Sequence, residues 1–199
     1  TLTFDADAAG VANVDSDPFD VSAAAASSLI EVSGNGQTGP ISTALAEAFV
    51  TEVQDAFGNP VAEETVDFSI ATTPAGAAGQ SLSTLSITTD AAGRAASTLT
   101  LGDTAGDYTA DATWNAATVS FTATALTGAA AALQVNTQPG TTTAGQTVAA
   151  PPSVLVTDSG GNPVSGVTVS VSEQEGYIFD GGTLSAVSDG AGIATFSDL

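Results

Sequence analysis

The sequence predicts an all-β protein made of tandem, antiparallel β-sandwiches, and two repeated phrases predict the tandem. Asp55-Ala56-Phe57-Gly58-Asn59-Pro60-Val61 returns 103 positions later as Asp158-Ser159-Gly160-Gly161-Asn162-Pro163-Val164. Thr89-Asp90-Ala91-Ala92-Gly93-Arg94-Ala95 returns 99 positions later as Ser188-Asp189-Gly190-Ala191-Gly192-Ile193-Ala194. Two turn signatures in the same order, about one small domain apart, mark copies of one module. A third observation predicts the strands. Apolar and polar residues alternate between turns spaced ~8 to 12 residues apart, and no stretch carries a helical period.

The middle copy reads strand by strand. A short entry strand at 29–32 precedes a Gly34-Asn35-Gly36 turn. Residues 44–54 then alternate, with Leu45, Phe49, Thr51 and Val53 on one face. The phrase from Asp55 to Pro60 turns the chain: Asn and Gly tolerate positive φ, and Pro starts the next strand without breaking a central ladder. Val66, Phe68 and Ile70 share a face of the returning strand, and a loop rich in Ala and Gly leads to a strand with Leu85 and Ile87. After the Asp90 turn, Ala95, Ser97, Leu99 and Leu101 alternate. A turn at 102–106 opens a strand bearing Tyr108, Ala110, Ala112 and Trp114, and Val119, Phe121 and Ala123 supply the last one. The large core anchors are therefore few: Phe49, Phe68, Tyr108, Trp114 and Phe121.

The repeat divides the chain out of phase with its ends. Residues 1–6 resemble the strand beginning at Tyr108, and Pro18 to Ser22 match Ser120 to Thr124. Residues 1–24 are thus expected to be the last two strands of a preceding copy, 27–126 a complete domain, and 129–199 an incomplete domain lacking its final strands. The Ala-rich stretches 23–26 and 128–132 read as joints. A sandwich lacking strands exposes sheet edges, which either adjoining sequence or a neighbouring chain would cover by strand addition.

Composition narrows the functions available. The 199 residues hold 22 acidic side chains, one Arg, no Lys and no His, a net charge of −21. Nucleic-acid binding needs cationic side chains to displace counterions, so it is excluded, and an anionic membrane surface would repel the chain. No apolar run is long enough to span a bilayer, so no membrane insertion is expected. Cys is absent, which removes any disulfide framework or thiol chemistry. With neither His nor Cys, no Ser-His or Cys-His pair can form, and no phosphate-cradling Gly-x-x-x-x-Gly-Lys occurs.

The remaining candidates are carboxylates. Asp158-Ser159-Gly160 mimics an aspartic-protease loop, but that chemistry needs two facing loops, and the other copy reads Asp55-Ala56-Phe57. A turn is the better reading. Asp5, Asp7, Asp15, Asp17 and Asp20 form the densest acidic cluster, with Asp15, Asp17 and Asp20 as candidate calcium ligands at a joint; hard oxygen donors suit Ca²⁺, although no closed loop with a terminal Glu is present. Glu47, Glu52, Glu63, Glu64, Glu173 and Glu175 read as solvated surface rather than a glycosidase pair. Trp114 and Tyr108, alternating with Ala, read as core rather than sugar-stacking platforms.

Val-x-Asp-x-x-Gly-Asn-Pro-Val from Val53 and from Val156, Thr/Ser-Asp-x-x-Gly-x-Ala, and Ala105-Gly106-Asp107-Tyr108-Thr109-Ala110-Asp111-Ala112 together resemble bacterial Ig-like domains of the invasin and intimin type. Tyr108, placed early in a late strand, fits the tyrosine corner of such sandwiches. The resemblance implies a rigid extracellular or cell-surface stalk with no catalytic residues. The expected function is structural: a repeat module of a stalk, surface layer or filament, with strand exchange between subunits as one mode of assembly. The alternative is an adhesive or carbohydrate-binding surface module stiffened by calcium. Expected partners are neighbouring copies of itself or adjacent domains of the same polypeptide.

Overall fold

Alternation becomes two facing sheets, because side chains along a strand point to opposite faces and the apolar half must be covered. A computed structural model describes residues 22–143, 146, 148, 150–172 and 184–197, with the backbone of 5–6 and 14–15. Near the start, β1 (Asp5–Ala6) pairs antiparallel with β2 (Val14–Asp15). The first set of strands follows. One sheet holds β3 (Ala26–Ser33), β5 (Phe49–Asp55) and β9 (Arg94–Ser97); β4 (Gln37–Pro40), β6 (Thr65–Thr72) and β8 (Ser86–Thr88) go to the other. That second sheet is completed by β11 (Gly106–Trp114) and β12 (Ala117–Leu126), in the order β4-β12-β11-β6-β8. Two short strands, β7 (Ser81–Leu82) and β10 (Leu99–Thr100), pair with each other between them.

This is an Ig-like sandwich, with one departure from a purely antiparallel arrangement. β4 runs parallel to β12, from Gln37 opposite Ala123 to Pro40 opposite Leu126. The chain leaves the β3 sheet through the Gly34–Gly36 turn and joins the opposite sheet without reversing direction. The strand expected over 44–54 is regular only from Phe49; Ala44 makes an isolated bridge to Thr100, while Leu45 is still buried. Leu85, expected in a strand with Ile87, lies just before β8 and is exposed.

The two sheets meet on an aromatic pair. Phe49 of β5 and Phe121 of β12 stack with ring centroids 4.6 Å apart and an interplanar angle of 15°. Both are fully buried with Val53, Val66, Leu99, Leu101 and Tyr108. Each large side chain contributes about 1.5–3 kcal/mol by leaving water, so a core this lean depends on each of them.

The second set repeats the first in the same order. β13 (Ala132–Thr137), β14 (Ser153–Thr157) and β17 (Ile193–Thr195) form one sheet, and β15 (Thr168–Ser170) pairs with β16 (Ser185–Val187). Glu52 faces Arg94 across the first ladder, and Leu155 faces Ile193 at the matching step of the second. Among the described residues the second core holds Val156, Val169, Ala194 and Phe196.

The repeated phrases end up side by side. The Asp90 turn packs onto the Asp55 turn, and a Cβ at Gly93 would lie 2.8 Å from the Val53 carbonyl oxygen and 2.9 Å from the Pro60 side chain. Gly192 meets Val156 and Pro163 in the same way. One loop away, Glu63 holds φ 64° where the second copy has Gly166 at φ 76°. A side chain in this left-handed region costs roughly 1–2 kcal/mol, partly offset by the backbone entropy that glycine loses. Glu63→Gly is therefore expected to stabilise the protein by about 0.5–1 kcal/mol, read as an upward shift of the denaturation midpoint.

Candidate interdomain joint

The Asp-x-x-Gly-Asn-Pro-Val turn is a hydrogen-bond clasp centred on its Asp. The Oδ1 of Asp55 accepts from the N–H groups of Phe57 (2.8 Å) and Asn59 (2.9 Å). Its Oδ2 accepts from the Asn59 side-chain amide (3.0 Å) and from the N–H of Ala24 (2.9 Å), a residue of the incoming segment. Asp158 repeats every contact. Its Oδ1 accepts from the N–H of Gly160 and of Asn162, both 2.9 Å, and its Oδ2 from the N–H of Gly128 at 2.8 Å. The Asn162 amide nitrogen lies 3.0 Å from each carboxylate oxygen. Each turn thus ties down the linker that enters its own copy.

Donors aimed at an ionised carboxylate favour the charged form. The Asn59 side chain leads in lowering Asp55, against the upward pull of burial, and with the N–H groups of Ala24, Asn59 and Phe57 it brings the pKa down to about 2. For Asp158 burial pulls upward most strongly; the N–H of Gly128, the Asn162 amide, and the N–H groups of Asn162 and Gly160 together outweigh it and leave the pKa lowered.

The second clasp also reaches across to the first copy. Asn162 Oδ1 accepts the N–H of Ala105 at 2.9 Å, and its Nδ2 donates to the carbonyl of Asp103 at 2.8 Å. The loop it grips is braced from within. Tyr108 donates its hydroxyl to the Thr104 carbonyl at 2.8 Å, the tyrosine corner expected from the sequence. Asp103 accepts the N–H of Ala78 through its carboxylate (2.8 Å) and donates its own N–H to the Ala78 carbonyl (3.0 Å). Gly160 lies so close to the Asp103 carbonyl oxygen that a Cβ there would overlap it. Close backbone approach at this joint therefore requires glycine.

The structure places the other candidates as follows. Asp158-Ser159-Gly160 is a turn whose carboxylate is saturated with donors, not a reactive acid. Asp15 lies in β2, its side chain outside the described residues, as are Asp17 and Asp20. Among the described residues no group of three or more His, Cys, Asp or Glu is arranged to hold a metal ion. Glu52 pairs with Arg94 at 3.4 Å, partly exposed and so weak. Trp114 is 9% exposed, and its indole N–H donates to Glu64 at 2.8 Å, a partner the sequence did not suggest. No helix among the described residues is long and apolar enough to cross a membrane. Sequence reasoning missed the role of Asn162 and of the loop it grips. The usable signal was the exchange of Phe57 for Gly160 inside an otherwise repeated phrase.

The chain is thus a tandem of Ig-like β-sandwiches with an intramolecular joint. No family model matches it, and no curated protein matches it. Among solved structures it is similar to FdeC, an Escherichia coli adhesin, with 19% identity over 94% of this chain and 60% of that chain, at a TM-score of 0.51. It is also similar to the D00-D0 domain of intimin, with 20% identity over 51% of this chain and 46% of that one, TM-score 0.38. Domains 4–9 of surface layer protein SbsC match at 18% identity over 95% of this chain and 29% of theirs, TM-score 0.40. The chain therefore spans about half the length of the first two. At 19% identity the likeness to FdeC is one of fold.

Both carboxyls are held below the ordinary Asp value, so their stabilisation is present above about pH 4 and is lost as pH falls through the folded-state pKa, which is about 2 for Asp55. Asp158→Asn, which turns an acceptor into a donor facing backbone N–H groups, should destabilise the second copy by about 1–3 kcal/mol at neutral pH. It should also flatten part of the acid dependence below about pH 4. Chemical denaturation of both proteins across that range checks this.

Proposed function

We propose that this chain is a structural spacer of a bacterial cell-surface protein, in which Ig-like modules are held end to end by a hydrogen-bonded joint. The observation that carries the reading is the Asn162 side chain, which bonds both the Asp103 carbonyl and the Ala105 N–H of the preceding copy. A flexible linker needs no such contact, since a short Ala- and Gly-rich segment connects modules by itself. The fold shared with the adhesin FdeC supports a surface location. In this reading 27–126 is one complete domain, 129–199 belongs to the next, and neither is an enzyme. An adhesive, sugar-stacking role finds little support, since the single Trp is buried and its indole is committed to Glu64.

The test measures stiffness. Nitroxides on Thr118→Cys and Ser185→Cys, in a chain with no native Cys, report the distance between copies. A narrow distribution is expected, broadening with Asn162→Ala or Gly160→Ala. A distribution already broad in the parent protein would defeat the spacer reading.

A further inference from the structure

The one parallel pair of the first copy joins its entry to its exit. β4 is the second strand of that copy and β12 its last, and they run side by side from Gln37 opposite Ala123 to Pro40 opposite Leu126. The incoming chain reaches this pair at its Gln37 end, through β3 and the Gly34–Gly36 turn. The outgoing chain leaves it at the opposite end, through Leu126 and on to Gly128. Tension between the two ends therefore draws β4 and β12 past each other along their length. The bonds of a parallel pair are evenly spaced, so a pair sheared in this way loads them together, whereas a pair opened from one end breaks them in turn. β3, which the load meets first, pairs with β5 and forms no rung with β12.

Side chains fasten the pair where the load enters. Thr122 of β12 is held at three atoms: its N–H and its hydroxyl donate to Asn35 Oδ1 at 2.8 and 3.1 Å, and its carbonyl accepts the N–H of Gly36 at 2.9 Å. Asn35 is tied back to β3, donating from Nδ2 to Glu31 at 3.0 Å. Gln37 fixes the start of β4 to the loop ahead of β5, accepting the N–H of Glu47 at 2.9 Å and donating to the Glu47 carbonyl at 3.0 Å. Where the load leaves, the N–H of Ile41 donates to the Leu126 carbonyl at 3.1 Å, and the N–H of Ser42 to the Gly102 carbonyl at 2.9 Å.

We propose that β4 and β12 form a load-bearing clamp, whose rupture sets the force at which a tensioned copy opens. The inference rests on the spacer reading, since a stalk module carries the pull between its two ends, and it gives a mechanical task to bonds separate from the Asn162 joint. Forced opening is governed by the barrier to unfolding, not by equilibrium stability. A lean core is thus compatible with a strong module, because the clamp is made of backbone and amide hydrogen bonds and not of buried apolar area.

The test pulls the full chain in an optical trap along two directions, through handles on introduced cysteines. Ser22→Cys with Thr127→Cys loads the first copy through its own ends and shears the pair. Ser42→Cys with Thr127→Cys pulls both strands from their exit ends and peels the pair. All three residues are exposed, and the chain has no native Cys. The shear direction is expected to need a several-fold higher force. Asn35→Ala should lower the shear force and leave the peeling force unchanged, because peeling breaks the Asn35 end last. Asn35 lies outside the left-handed region, so Ala fits its backbone. Equal forces in the two directions, or a shear force that Asn35→Ala leaves unchanged, would overturn the proposal. Neither direction loads the Asn162 joint, so that outcome leaves the spacer reading to the nitroxide distances, and a broad distance distribution leaves the clamp to the trap.

Discussion

One carboxylate in each copy organises the end of its sandwich. Asp55 and Asp158 each gather three backbone N–H groups and one side-chain amide, which fixes the turn, the linker and the Asn rotamer together. The cost of losing the anion falls on all of these bonds together. The Asp90 and Asp189 turns then lock onto this platform through Gly93 and Gly192. Pro60 and Pro163 are pressed against them, so two phrases thirty-odd residues apart in sequence form one structure.

The joint follows from that platform rather than from the linker. Gly128 is held by Asp158, Asn162 is aimed by Asp158, and the loop that Asn162 grips is braced by Tyr108 and Asp103. Rigid parts therefore meet rigid parts. The linker itself supplies a tether and one N–H. Contacts of this kind are local to the two copies that meet, as in linear repeat architectures.

Much of this was legible in the sequence, and the reasons differ from residue to residue. The strands carrying Val66 and Phe68, or Tyr108 to Trp114, were plain because period-two alternation survives wherever one face is buried. Leu85 misled because a loop residue next to a strand obeys no such period, and Leu45 was assigned to a strand that starts only at Phe49. The turns were found as turns, yet their Asp looked like turn chemistry and no more, since Asp, Gly and Asn are ordinary turn residues. The joint could not be read from either copy separately. It emerges from what one copy's loop does to the other's Asn, a contact 57 residues apart in sequence that no periodicity encodes. The parallel pairing of β4 with β12 was hidden for the same reason, being a pairing across 86 residues between Gln37 and Ala123 at its start.

The charge of the chain explains why an amide does this work. With 22 acidic side chains against one Arg, ion pairs between modules are not available, and Arg94 is already engaged with Glu52 inside its own copy. Like charges on adjacent modules repel, and at an ionic strength of about 0.1 M that repulsion is screened beyond roughly 10 Å. A joint built on charge would therefore loosen or tighten with every change in salt. Asn162 is neutral and binds backbone groups whose positions are fixed by the fold, so its contacts to Asp103 and Ala105 carry no such dependence. Repulsion between acidic surfaces acts over that longer range, while the neutral contact at Asn162 acts at hydrogen-bond distance. The two effects operate at different ranges and do not compete.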